Sequence, residues 1–452
     1  MDLSKKMVKV NPFYKIRREI TVPSDKSISH RAVFISSLAK GKTTIYNFLN
    51  SEDTLASLEC MRQLGVGIKR LFKERLIISS RGKYFPKRQY TVLNAYQSGT
   101  TFRLISGLLV GQPFKTKIEA SGSLKKRPMK RITHPLRFMG ARIKGRLKGS
   151  EEFPPLYIHP VKNLYGIRYR LPVSSAQVKS AIIFASLFAE GSTKIEEIYP
   201  SRDHTERMLK FFGAFLKKEK RFIYSQAQDI KASPEIFIPG DFSSAAFFIT
   251  LGILLKDSEL CIKKVGINPT RIGFLNVLKR MGARIKIVNK KNYFEPFADI
   301  IVSSSLLVST VVRKEEIPLM IDEIPLLFVC ASFAKGTTII YGLKELKVKE
   351  TDRISSMIYN LKLLGINIGV HFFKGDWCVV VKGIGEDRRR LKSGNLKSFG
   401  DHRTAMSTII MGIASGCTHT LDDIQCINKS FPDFIRKINL LHKRAVVNYE
   451  DS

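Results

Sequence analysis

Apolar and polar positions along this 452-residue chain follow two alternating periods. Runs with apolar residues three and four apart, the spacing of one helix face, give way to shorter runs that alternate apolar and polar, as in a half-buried strand. A bulky apolar residue followed by glycine marks the changeover. It stands at Leu64-Gly65, Met139-Gly140, Phe212-Gly213, Met281-Gly282 and Leu364-Gly365, at successive spacings of 75, 73, 69 and 83 residues. Glycine there suits the left-handed residue that ends a helix.

A second phrase interleaves with the first. Ala39-Lys40-Gly41-Lys42-Thr43, Ala189-Glu190-Gly191-Ser192-Thr193, Ala334-Lys335-Gly336-Thr337-Thr338 and Ala414-Ser415-Gly416-Cys417-Thr418 each close an apolar helix-like run and open a strand-like one. Weaker copies sit near Gly111 and Asp257. Together they predict six α/β units of roughly 75 residues, each with two helices and several strands. One hydrophobic core rarely grows beyond about 250 to 300 residues, so six units divide into two lobes of three. The segment Ile238-Pro239-Gly240-Asp241 is the hinge candidate, with a second crossing near Val22-Pro23-Ser24. The predicted first lobe is therefore residues 24–239, and residues 1–23 join 240–452 in the second.

Composition narrows the class. At 44% hydrophobic residues the chain can fill globular cores. Its longest apolar run, Ala245 to Leu255, falls well short of the roughly 18 residues of a membrane span. The basic N-terminus lacks the apolar core of a secretory signal. Cysteines 60, 261, 330, 378, 417 and 426 are scattered, with no Cys-x-x-Cys pair and no histidine at metal-ligand spacing, so they read as reduced thiols. A cytoplasmic location is expected.

The formal charge of +37 raises three classes of partner: nucleic acid, anionic membrane and small acidic substrates. Basic runs occur at Lys125-Lys126-Arg127, Lys217-Lys218 and Arg388 to Arg390. They are dispersed among ordinary elements, with no aromatic-interleaved platform for single strands and no zinc-finger spacing. Small anions fit better, and a basic nucleic-acid-binding protein stands as the alternative from another class.

Several segments are built for such anions. In Pro23-Ser24-Asp25-Lys26-Ser27-Ile28-Ser29-His30-Arg31, Lys26 and Ser27 fall at a helix start and Arg31 one turn in, a spacing that suits phosphate or carboxylate. The Gly-x-x-x-x-Gly-Lys pattern of a nucleotide loop is absent. Gln97-Ser98-Gly99-Thr100-Thr101-Phe102-Arg103 repeats the logic, with a glycine that admits a ligand to the backbone. Ser174-Ser175-Ala176-Gln177 precedes another apolar helix, where the serines could equally be caps. Arg127 is followed by Pro128, which restricts its backbone. Lys349-Glu350-Thr351-Asp352-Arg353 crowds charges before a helix-patterned run. Asp322 lies at an expected strand-to-helix turn, either as a plain cap or as a functional carboxylate. Gly400-Asp401-His402-Arg403 and Lys429-Ser430-Phe431-Pro432-Asp433 set cations beside turn residues, and His402 could be a satisfied structural histidine.

Taken in order, these segments resemble the 5-enolpyruvylshikimate-3-phosphate synthase family. Also similar are Ser175-Ala176-Gln177-Val178-Lys179-Ser180-Ala181, Ser201-Arg202-Asp203-His204-Thr205-Glu206 and Pro239 to Ala246. The resemblance runs from about Pro23 to Phe434. It implies an α/β fold of two lobes, each an inverse α/β barrel of three βαβαββ units. It implies passage of the enolpyruvyl group of phosphoenolpyruvate to the 5-hydroxyl of shikimate 3-phosphate, with release of phosphate. It implies no metal or organic cofactor. A monomer is expected.

Carried over by position, Lys26, Ser27, Arg31, Ser174 or Ser175, Gln177, Arg202, Asp322 and Lys349 correspond to shikimate 3-phosphate contacts. Lys26, Gly99, Arg127, Gln177, Arg353, Arg403 and Lys429 correspond to the phosphoenolpyruvate site. The resemblance suggests Asp322 as base toward the hydroxyl and Glu350 as acid toward carbon, with Lys26 and Lys429 assisting. The chain departs from the family pattern at Ala120-Ser121, where Gly-Asp is common, and at Gln97 and Glu345, where asparagine is common. The sister transferase acting on UDP-N-acetylglucosamine shares the six units but carries a reactive cysteine in the loop that here runs from Gly122 to Arg131 without one.

Overall fold

The computed structural model describes residues 7–72, 74–86, 89–373, 375–442 and 445–449, with the backbone alone at Lys429. The chain forms two compact units: Ser24–Pro239, and the residues up to Pro23 together with those from Gly240 onward. Among the described residues twelve α-helices fall two to each repeat. The first unit holds α1 (Lys26–Leu38), α2 (Glu52–Gln63), α3 (Gly99–Leu109), α4 (Lys130–Phe138), α5 (Ala176–Ser186) and α6 (His204–Phe211). The second holds α7 (Phe242–Leu254), α8 (Gly273–Arg280), α9 (Ile324–Ser332), α10 (Arg353–Leu363), α11 (His402–Ser415) and α12 (Phe434–Asn439).

Odd and even helices differ in kind. The odd-numbered ones are buried on nearly every face, and α7, α9 and α11 are buried along their whole length. A helix without a wet face belongs at a centre. Accordingly α1, α3 and α5 pack on one another in the first unit, as do α7, α9 and α11 in the second. The even-numbered helices keep a polar face, and the strands outside them alternate buried and exposed positions, leaving one face of each sheet to solvent. Helices inside and sheets outside is the inverse of an ordinary α/β barrel.

Each four-stranded sheet has one parallel pair and two antiparallel ones, and the five-stranded sheet of the first repeat differs only in that Ala39–Tyr46 meets two short parallel strands, Ile230–Lys231 and Glu235–Phe237. In the second repeat the order is Tyr90–Asn94, Lys115–Glu119, Glu151–His159, Arg142–Lys148, with Val92, Lys117, Tyr157 and Lys144 in one row. The N-terminal strands serve the second unit. Arg17–Thr21 runs parallel to Glu259–Gly266, and Val8–Val10 sits between His419–Leu421 and Val447–Tyr449.

The five phrase glycines 65, 140, 213, 282 and 365 all hold φ between 82° and 93°, the left-handed helix stop that the sequence called for. Asp257 takes the same region, with φ 45°, where its copy of the second phrase lacks a glycine. Gly111 is small for another reason: a Cβ there would lie 2.2 Å from Cγ of Phe188. Among the described residues no helix is long and apolar enough to cross a membrane, and all six cysteines are free thiols.

Candidate active site

Nearly every candidate residue sits at the front end of a helix, where unpaired N–H groups and the helix dipole favour anions. At α1, Asp25 caps the helix by accepting from the Ile28 N–H at 2.8 Å. Lys26 and Ser27 occupy the first turn, and Lys26 Nζ pairs with Asp53 of α2. Arg31, one turn on, is 2% exposed. Its Nη1 donates to the Ser27 carbonyl at 2.9 Å, Nε to Thr205 Oγ1 at 2.7 Å and Nη2 to Ser180 Oγ at 2.9 Å, so one guanidinium ties α1 to α5 and α6.

Beneath this lies a chain of side chains: His30 Nδ1 to Ser57 Oγ at 2.8 Å, Ser57 to Thr101 at 2.8 Å, and Thr101 to Ser98 at 2.7 Å. It fixes α1, α2 and α3 against one another. Burial lowers the His30 pKa to about 3, so the ring is neutral.

Ser98 caps α3 and Gly99 opens it. A Cβ on Gly99 would lie 3.0 Å from Arg127 Nη1 and 3.2 Å from Arg103 Nη1, which places both guanidinium groups against the glycine. Gln177 of α5 faces the same place. Its Oε1 accepts from Arg103 Nη1 at 2.6 Å and its Nε2 donates to Thr100 Oγ1 at 2.9 Å. Arg127 leaves the 3-10 turn Gly122–Lys126 in extended conformation, φ −90° and ψ 132°, as Pro128 demands. That loop is anchored by the buried Leu124 and shaped by Gln97, whose Oε1 lies 2.5 Å from where a Gly122 Cβ would be. Two positions noted for departing from the family pattern, Gln97 and Ser121, thus stand together at the base of the Arg127 loop, where Ser121 N donates to the Tyr96 carbonyl at 2.7 Å.

The serines before α5 split their roles. Ser175 is the cap, accepting from the Val178 N–H, while Ser174 Oγ donates to the Tyr199 carbonyl at 2.8 Å. Arg202 lies in the loop leading into α6.

In the second unit one side chain gathers the charges. Arg353, the first residue of α10, is 2% exposed and addresses three carboxylates: Nε to Asp401 Oδ2 at 2.9 Å, Nη1 to Asp322 Oδ1 at 3.2 Å and Nη2 to Glu350 Oε2 at 2.7 Å. Burial alone would weaken its hold on a proton, but Asp401, Glu350 and Asp322 outweigh that and raise its pKa above the ordinary arginine value. Glu350 and Lys349 follow the 3-10 turn Lys344–Val348.

Asp322 is not at a strand-to-helix turn as expected. The strand Val311–Val312 ends well before it, a 3-10 turn Ile317–Leu319 intervenes, and Glu323 rather than Asp322 stands at the cap position of α9. Asp322 is thereby freed to meet Arg353, and Glu323 is buried against Arg271 at 3.1 Å.

Asp401 caps α11 through Oδ1, which accepts from the N–H groups of Arg403 and Thr404, and holds Arg353 through Oδ2. His402 is not a satisfied histidine on both nitrogens: its buried Nδ1 has no hydrogen-bond partner among the described residues, and burial lowers its pKa to about 4. Arg403 is nearly buried, with Cζ 6.0 Å from the Phe247 ring centre. Lys429 ends a 3-10 turn, Gln425–Lys429, and its side chain lies outside the described residues. Its segment is anchored by Phe431 and Phe434, whose rings pack on each other and on Phe247 and Phe248 at 5.4 to 6.2 Å.

The first unit thus presents Lys26, Ser27, Gly99, Arg127 and Gln177, and the second a guanidinium flanked by carboxylates. The family model for EPSP synthase (3-phosphoshikimate 1-carboxyvinyltransferase) matches residues 10–438. The chain belongs to that family. It is 46% identical over 431 residues to the 3-phosphoshikimate 1-carboxyvinyltransferase of Petrotoga mobilis, covering 94% of this chain and 97% of that one. An EPSP synthase structure from Acinetobacter baumannii aligns with a TM-score of 0.87 at 36% identity, over 99% of this chain and 100% of the other. The enolpyruvyl transferase NikO of Streptomyces tendae, at 15% identity and a TM-score of 0.76 over 99% of this chain and 100% of its own, shares the fold. The chain is an enzyme of the shikimate pathway that transfers the enolpyruvyl group of phosphoenolpyruvate to shikimate 3-phosphate.

Sequence reasoning missed Asp53 and Asp401 as partners of site cations. Asp53 resembles any acidic residue in a first helical turn, and Asp401 any N-cap. Among the described residues no group of three or more His, Cys, Asp or Glu side chains could hold a metal ion.

Proposed function

We propose the following division of labour for the transfer. The shikimate 3-phosphate contacts are Lys26, Ser27, Arg31, Ser174 or Ser175, Gln177, Arg202, Asp322 and Lys349. Phosphoenolpyruvate is held by Lys26, Gly99, Arg127, Gln177, Arg353, Arg403 and Lys429. The substrates carry two phosphates and two carboxylates, whose mutual repulsion a dense set of cations offsets.

Glu350 delivers a proton to the methylene carbon of phosphoenolpyruvate, leaving cationic character on the carbon that bears the phosphate. The 5-hydroxyl oxygen attacks that carbon while Asp322 takes the hydroxyl proton. A proton then leaves the new methyl group, the double bond re-forms and the C–O bond to phosphate breaks. Lys26 and Lys429 assist these transfers. The observation that supports this most directly is the Arg353 fork, which fixes Asp322 and Glu350 on neighbouring nitrogens of one buried guanidinium. Such fixation spares reorganisation during reaction.

We further take the chain to act as a cytoplasmic monomer, with the crossings at Pro23 and Pro239 as lobe boundaries and without nucleic acid as a partner. The test is phosphate release from phosphoenolpyruvate by the purified protein with and without shikimate 3-phosphate. Release that depends on shikimate 3-phosphate is expected, and its absence with both ligands bound would overturn the assignment of the catalytic pair.

A further inference from the structure

Lys179 is the least expected cation in the molecule. It lies in the first turn of α5, one turn beyond the Ser175 cap, and its side chain is wholly buried. Buried lysines are rare unless paired, and this one is paired on every side. Its Nζ is 2.7 Å from Glu206 Oε1, 3.1 Å from both oxygens of Glu197 and 3.3 Å from the Ser201 carbonyl. Glu197 in turn accepts from the Ser201 backbone N–H at 3.1 Å and from the Ser201 hydroxyl.

These contacts enclose one short segment. Glu197 stands before Arg202, Ser201 immediately before it, and Glu206 four residues after it on α6. A single ammonium therefore grips both flanks of the Arg202 loop, from the same helix end that carries Ser175 and Gln177. The Ser174 hydroxyl adds a third tie, at the Tyr199 carbonyl.

Stability alone is a weak reason for such an arrangement. Buried ion groups are often replaceable by apolar residues without loss, because desolvation cancels most of the attraction. What an ionic clamp supplies that an apolar plug does not is a fixed distance between named atoms. We infer that Lys179 is a positioning residue for shikimate 3-phosphate, setting Arg202 against Ser175 and Gln177 through Ser201, Glu197 and Glu206. The inference rests on the proposed contact of Arg202 with that substrate. Glutamine keeps the size and one acceptor oxygen of Glu206 without its charge, so it is the replacement to make there once the ammonium is removed.

The test is a double-mutant cycle on the whole enzyme, read as the Kd of shikimate 3-phosphate by titration calorimetry, with Tm recorded alongside. Lys179→Met combined with Glu206→Gln removes the ammonium without leaving Glu206 charged. It is expected to raise that Kd by about 10- to 100-fold in a protein that still melts cooperatively, the size of one charge-assisted hydrogen bond lost. In an Arg202→Ala background the same pair of substitutions should change Kd by less than about threefold, because its effect is transmitted through Arg202. If the pair does not fold, Lys179→Arg, which keeps the charge but exceeds the space, takes its place in the cycle. A Kd unchanged in the folded Lys179 variant, or changed equally in both backgrounds, overturns the role of Lys179 alone. An Arg202→Ala protein that binds shikimate 3-phosphate as wild type does overturns the Arg202 contact, and the clamp with it.

Discussion

Glu350 Oε2 lies 2.7 Å from Arg353 Nη2, and the next nitrogen of the same guanidinium holds Asp322 at 3.2 Å. The proposed acid and base thus share one cation, 3% exposed at its side chain, whose third arm is locked by Asp401. Glu350→Gln keeps the shape and a hydrogen-bonding oxygen but cannot cycle a proton. Turnover should fall by about 100-fold or more, while the Kd of shikimate 3-phosphate changes little. Phosphate-release kinetics beside titration calorimetry separates the two, and wild-type turnover in this variant would remove Glu350 from the proton path.

Arg353→Lys tests the fork itself. Lysine keeps the charge but cannot address three carboxylates in fixed directions. Asp401 sits at an α11 cap and is wholly buried, so losing its partner leaves a carboxylate poorly compensated. We expect kcat/KM for phosphoenolpyruvate to drop by at least about 100-fold and the unfolding midpoint to fall as well. Loss of activity with an unchanged midpoint would mean that Asp401 finds another partner.

Gly99 makes a sharper prediction about the phosphoenolpyruvate side. An alanine Cβ would stand 3.0 Å from Arg127 Nη1 and 3.2 Å from Arg103 Nη1, so the ends of these flexible chains must yield by a few tenths of an ångström. The native enzyme is expected to be inhibited by glyphosate, for which this glycine leaves room. Gly99→Ala should raise the glyphosate concentration for half inhibition by more than it raises KM for phosphoenolpyruvate. Equal shifts in both would show that the methyl group acts only by moving the two arginines.

Burial holds His30 near pKa 3 and His402 and His419 near 4, against about 6.5 in an unfolded chain. Between those values the unfolded chain binds protons that the folded one refuses, so stability is full above about pH 6.5 and declines as pH falls toward 4. Tm should drop over that window. His30→Asn, whose amide can still hydrogen-bond Ser57, should lessen the proton uptake on unfolding near pH 5 by about one. An unchanged uptake would mean that His30 titrates normally in the fold.

The repeating architecture was open to view in the sequence because it rests on local chemistry. A left-handed glycine after an apolar residue, a caps-and-hydroxyls helix start and a proline beside Arg127 each act within a few residues. The pairings that finish the site do not. Arg31 meets Thr205 across 174 residues and Arg353 meets Asp401 across 48, and no period or cap motif encodes such a meeting. Asp322 lies off the expected strand-to-helix turn for a related reason: the 3-10 turn Ile317–Leu319 that separates it from the strand gives no periodic signal of its own. Lys179 carried no signal of its own in the sequence, since burial of its ammonium depends on Glu197, just past the strand Ser192–Glu196, and on Glu206 of α6.

One tight helix contact in the first unit ties these local and distant features together. At Gly107 of α3 a Cβ would lie 2.1 Å from the Ala181 carbonyl oxygen and 2.6 Å from its Cα, so two buried helices touch there with nothing between them. The atoms in the way are backbone and cannot swing aside. Gly99 opens α3 and Gln177 lies in the first turn of α5, so the separation of the two helices sets the distance between those residues. Gly107→Ala would gain a little helix propensity, about 1 kcal/mol, but must push α3 from α5, at a cost of about 1 to 3 kcal/mol for overpacking. A lower denaturation midpoint and a raised KM for phosphoenolpyruvate are therefore expected together. Urea unfolding with steady-state kinetics on the one variant decides it. A stabilised protein with normal KM would mean that α5 can retreat without carrying Gln177 away from Gly99.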